Sequence, residues 1–122
     1  MKFVRTALVA LLVTAVFTSC KKDHDKRPFT IEGLWEGNTN GGGYFGINVN
    51  PGGTLERLNG SGAVAATGHW VLEGNTLSGD YHFPSSNTDV TFSAEVNVNN
   101  ETLSGSWSNN GGETGTMNAS KQ

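Results

Sequence analysis

From Gly68 to Phe83, apolar residues or glycines recur at every second position on either side of one short turn. Glu73-Gly74-Asn75-Thr76 has the composition of a two-residue hairpin, since Gly and Asn tolerate the positive φ of a type I′ turn. Pairing Glu73 with Thr76 puts Leu72 opposite Leu77, Trp70 opposite Gly79 and Gly68 opposite Tyr81, all on one face. His69 then meets Asp80 on the other face, with His82 diagonal to His69. Each aromatic lies across from a glycine, an arrangement that fills the gap left by a missing side chain.

The same pattern extends along the chain. A first strand is expected from Ile31 to Asn38 and a second from Tyr44 to Asn50, separated by the glycine-rich stretch Thr39 to Gly43. Asn50-Pro51-Gly52-Gly53 is a strong turn signal and precedes a strand from Thr54 to Asn59. Gly60-Ser61-Gly62 leads into the long strand Ala63 to Glu73, and Thr76 to Phe83 forms the second arm of the hairpin. If Phe83 pairs with Val90 across Pro84 to Asp89, Tyr81 faces Phe92, Gly79 faces Ala94 and Leu77 faces Val96. If Val98 pairs with Glu101, Val96 faces Leu103, Ala94 faces Gly105 and Phe92 faces Trp107. Two separately placed turns then share one apolar face, while Thr91, Ser93, Glu95 and Asn97 fall outside. The last strand, Glu113 to Ser120, offers only Met117 and Ala119 to that face, and its register stays open.

Eight short antiparallel strands without a helix predict an all-β, up-and-down meander closed into a small barrel, which would also remove exposed edges. A two-sheet β-sandwich is the alternative. Gly33/Trp35, Gly68/Trp70, Gly79/Tyr81 and Gly105/Trp107 repeat a Gly-x-aromatic unit, in which glycine permits a bend and the aromatic fills the interior.

Composition agrees with this. Seventeen glycines and three prolines among 122 residues suit a turn-rich β chain, and one domain is the expected count. Only 35% of residues are hydrophobic, and much of that share (14 of 43) lies in the first twenty positions, so the core must rest on a few aromatics. Those first positions read as a targeting segment. Lys2 and Arg5 precede the apolar run Thr6 to Phe17, too short to span a bilayer but suited to a signal-peptide core. The expected organisation is a signal peptide over 1–19, a charged tether over 20–28 and the barrel over 29–122.

Phe17-Thr18-Ser19-Cys20 resembles a bacterial lipobox, which implies that Cys20 is acylated and becomes the first residue of the mature protein. Cys20 is the sole cysteine, so no internal disulfide forms. Ser19-Cys20-Lys21-Lys22-Asp23 is similar to the start of many Bacteroidetes-type lipoproteins, which implies a lipid-anchored location at the outer membrane, with the periplasmic and surface faces both open. The Gly-x-Trp of Gly33 to Trp35, on the first strand of an eight-stranded meander, resembles the calycins: lipocalins, avidins and small bacterial metalloprotease inhibitors. Leu-Ser-Gly-Asp-Tyr (77–81) and Leu-Ser-Gly-Ser-Trp (103–107) are similar to avidin strand motifs. No avidin biotin site matches residue by residue, so biotin binding is not implied.

Charge narrows the partners. From Phe29 onward, Arg57 and Lys121 stand against nine carboxylates, a net charge of −7 (2 − 9). That balance lacks the basic patch that nucleic-acid binding needs. His69, Asp80 and His82 are the only metal-capable side chains the register brings together, and a surface His/Asp pair is the simpler reading. Arg57 shares a face with Leu55. If Leu55 points inward, Arg57 enters the barrel and can meet an anion or an aromatic ring. If Leu58 points inward, Arg57 is exposed, and the cost of burying an unpaired guanidinium argues for this second arrangement.

Trp35, Trp70, Tyr81, Phe83, Phe92 and Trp107 are candidates to line a ligand cup, although side chains largely fill a barrel this small. Catalysis has little support. Cys20 is committed to the anchor, no Ser/His/acid set stands out, and Gly41-Gly42-Gly43 lacks the helix that phosphate binding uses. The sequence therefore points to a non-enzymatic envelope lipoprotein without a cofactor, binding a small hydrophobic ligand or an envelope protein. A hydrolase or protease inhibitor and a structural accessory of an envelope complex are the alternatives.

Overall fold

The computed structural model describes residues 29–122, and the expected signal peptide, Cys20 and the tether lie outside them. Eight strands follow in order: β1 (Gly33–Thr39), β2 (Tyr44–Val49), β3 (Thr54–Leu58), β4 (Val64–Glu73), β5 (Thr76–Phe83), β6 (Thr88–Asn97), β7 (Thr102–Asn109) and β8 (Thr114–Lys121). Each pairs antiparallel with its neighbour, and β8 returns to β1 to close a barrel. The sandwich alternative is thereby excluded.

Period-two alternation produces this inside and outside. In β6, Val90, Phe92, Ala94 and Val96 are buried, while Asp89, Thr91, Ser93, Glu95 and Asn97 are exposed. Across the barrel, Trp35, Phe45, Ile47, Val49, Leu55, Leu77, Leu103 and Met117 form the fully buried centre. Among the described residues no polar or charged residue is fully buried.

The β4–β5 hairpin has the expected register, from Glu73↔Thr76 to Gly68↔Tyr81. Its turn differs. Gly74 has φ 61° and Asn75 does not share the positive φ, so the turn is type II′, which takes Gly at its first central position. The β6–β7 register is also as expected, with Val96↔Leu103, Ala94↔Gly105 and Phe92↔Trp107.

The β5–β6 register is displaced from expectation by two residues. Phe83 pairs with Thr88 rather than Val90, so Tyr81 faces Val90, Gly79 faces Phe92 and Leu77 faces Ala94. The loop is shorter than expected because Asn87 adopts the left-handed conformation (φ 56°) and turns the chain early. A shift of two preserves every residue's face. It also changes what fills the space at Gly79, where a Cβ would lie 2.9 Å from the Phe92 ring.

The barrel has two unlike ends. At one, residues 29–32 pack against the core: Ile31 is buried, and the Trp35 indole Nε1 donates to the Ile31 carbonyl at 2.9 Å. Phe29 stacks edge-on to Trp35 at 6.4 Å, and Lys121 Nζ donates to the Thr30 carbonyl at 2.6 Å. The other end carries the four connections 40–43, 59–63, 84–87 and 110–113.

Candidate functional site

Arg57 is the residue around which the second end is built. The sequence argued for exposure, and the structure places it inside. Leu55 and Leu58 are both buried, although alternation along β3 turns them to opposite faces. Arg57 pairs with Ala66 and Leu58 with Val64, so β4 carries an extra residue at this point. Leu58 lies opposite Gly46, where the Tyr44 ring crosses the outer surface, and is buried apart from the main core. Arg57 thus keeps the inward face of Leu55 while Leu58 finds separate cover.

The guanidinium is held by neutral groups. Nη1 donates to the Leu58 carbonyl, and Nη2 donates to the Tyr44 carbonyl at 3.2 Å. Its carbon lies 4.9 Å from the Phe45 ring centroid and 5.9 Å from that of Tyr81, both within cation–π range. Among the described residues no carboxylate forms a salt bridge to it. Its Nε–H is buried without a hydrogen-bond partner, as is the indole Nε1–H of Trp107.

Arg57 and Trp107 line the same cavity, of about 270 Å³, at this end of the barrel. Tyr81, Phe83 and Val90 supply its apolar wall, and Thr39, Thr88 and Asn109 supply its neutral polar atoms. Tyr81 packs edge-on against Phe83 at 5.5 Å and tilted against Phe92 at 6.1 Å, which fixes the ring beside the guanidinium. Burial raises the Tyr81 phenol above its ordinary pKa of 10.0, with Arg57 opposing part of that rise.

The expected lining set divides by position. Arg57, Tyr81, Phe83 and Trp107 border the cavity. Phe92 lies deeper, in the core. Trp35 and Trp70 serve the opposite end: Trp35 is fully buried, and Trp70 Nε1 donates to the Asn50 carbonyl at 2.8 Å. Thr39, Thr88, Val90 and Asn109 were not singled out from the sequence. All four have inward parity at the loop-bearing end of a strand, the signal that could have found them.

His69 and Asp80 form the cross-strand surface pair, and His82 takes a different partner. His69 Nδ1 is 3.7 Å from Asp80, whereas His82 Nδ1 lies 2.7 Å from Asp89 on β6. Both pairs are exposed on the outer face, and no group of three or more His, Cys, Asp or Glu converges among the described residues. The two-residue shift between β5 and β6 is the reason, because it brings Asp89 directly opposite His82.

Compared with known proteins, the chain matches no family model, no curated protein and no solved structure.

Proposed function

We propose that this chain is a non-enzymatic envelope lipoprotein, acylated at Cys20 and held at the outer membrane, whose calycin-type barrel binds a small ligand. The observation that carries the binding reading is the cavity of about 270 Å³ at the loop-bearing end, walled by aromatics and containing Arg57. Small-molecule sites are concave and mostly apolar with a few placed polar groups, and this cavity lies just below their usual size range of roughly 300–1,000 Å³. The Gly33-x-Trp35 unit on the first strand of a closed eight-stranded barrel supports the calycin comparison.

Residues 29–32 bear on the inhibitor alternative. An inhibitor that inserts the segment before its barrel into an enzyme cleft needs that segment free. Here Ile31 is buried and the Thr30 carbonyl is bound by Lys121, which counts against such insertion.

Tryptophan fluorescence tests the binding reading, since Trp107 lies on the cavity wall. Titration with short-chain amphiphiles gives a saturable change if the cavity is a ligand site, and a flat response across the set contradicts it. Incorporation of labelled palmitate tests the anchor: it is lost in Cys20→Ala, and undiminished labelling of that variant contradicts acylation at this residue.

A further inference from the structure

A cavity that binds small molecules through shape alone needs no charge in its wall. This one holds Arg57, one of only two Lys or Arg side chains after residue 28, within a domain of net charge −7. The other, Lys121, is engaged at the opposite end with Thr30 and Phe29. No carboxylate lines the cavity, and Glu113, which is bonded to Asn109 at the rim, is exposed. A partly buried cation without a counter-ion is costly to maintain. Two carbonyls and two rings offset part of that cost but leave the charge itself unneutralised.

We infer that the cavity selects a small organic monoanion, a carboxylate with a short apolar body, whose charged group neutralises Arg57. The inference rests on the cavity being a ligand site, as proposed above, and adds the chemical class of the ligand. A guanidinium retains free N–H donors after two are used, and it suits planar carboxylates. Tyr81, Phe83, Val90 and Trp107 would cover the apolar body. A single charge is favoured over a dianion because only one cation is present and the surrounding domain is strongly acidic.

The test compares octanoate, octanamide, octanol and inorganic phosphate on the unmodified protein by calorimetry. Octanoate is expected to bind roughly ten- to hundredfold tighter than octanol or octanamide, the range set by a hydrogen bond to a charged group. Raising the salt concentration should weaken octanoate and leave octanol unchanged. Arg57→Met should abolish the preference for octanoate while octanol still binds, and Arg57→Lys should retain part of it. Because Arg57 also braces β2 and β3, the comparison on the unmodified protein decides the matter if Arg57→Met does not fold. Equal or tighter binding of octanol overturns the anion inference while leaving the ligand site standing. Phosphate that displaces octanoate at equal concentration overturns the organic monoanion. No saturable binding of any of the four overturns both readings.

Discussion

A Cβ placed on Gly68 would lie 1.8 Å from the Asp80 carbonyl oxygen, and one on Gly105 would lie 2.0 Å from that of Ser93. Both obstacles are backbone atoms of the adjoining strand, so neither can yield as a flexible side chain would. Gly68→Ala is therefore expected to destabilise the barrel by about 3 kcal/mol, the upper part of the range for overpacking, measured by urea unfolding. A change below about 0.5 kcal/mol, typical of an uninvolved surface site, would mean the strands do not approach this closely. The Gly-x-aromatic repeat located these glycines in the sequence but gave them a different role, as gaps for aromatics to fill. Composition cannot distinguish a filled gap from a close backbone approach, because both require only that Cβ be absent. Tyr81 offers a second test at this scale. Its folded pKa is raised by burial, so the neutral phenol contributes stability that is fully present below the unfolded value near 10.0. That contribution is lost as pH rises through the raised folded value, because the unfolded state releases the proton first. Melting temperature should thus fall above pH about 10, and Tyr81→Phe should make that decline shallower. Tyr44 will share in the decline, since its hydroxyl donates to Glu36 at 2.6 Å and its pKa is raised first by that bond.

At the scale of elements, alternation settled which way each strand faces, whereas turn geometry settled which residues pair. The β4–β5 and β6–β7 registers were legible because short Gly- and Asn-rich turns left little choice of pairing. The β5–β6 register was not. Between Phe83 and Val90 several even-length loops give the same faces, and only the left-handed Asn87 selects the four-residue one. Asn87→Gly should be neutral to within a few tenths of a kcal/mol, while Asn87→Val should cost about 1–2 kcal/mol, the penalty for a left-handed conformation at a branched residue. Equal stability of the two variants in urea unfolding would remove the explanation for the shift. The position of Arg57 was hidden for a related reason. Strict alternation sends Leu55 and Leu58 to opposite faces, and the sequence pattern does not show that Leu58 finds cover outside the main core, opposite Gly46.

Closure belongs to the whole molecule and was only inferred from the sequence, since a meander with one apolar face also fits a sandwich. β8 illustrates the gap. It offers two apolar side chains, yet Met117 and Ala119 are both buried, and the strand pairs with β7 and β1 alike. What makes the seam possible is Gly37, whose Cβ would lie 1.9 Å from the Asn118 carbonyl oxygen of β8. Residues 29–32 pack against one end of the closed barrel, and the cavity that Arg57 lines lies at the other. The three indoles report on this polarity, because Trp35 bonds Ile31, Trp70 bonds Asn50, and Trp107 stands at the cavity with its Nε1–H unpartnered. The most direct test is nuclear magnetic resonance of the three indole N–H groups of the isotope-labelled protein during titration with octanoate. The account predicts a saturable shift of the Trp107 signal while those of Trp35 and Trp70 stay fixed. A Trp107 signal that does not move, or a shift confined to Trp35 or Trp70, would contradict it.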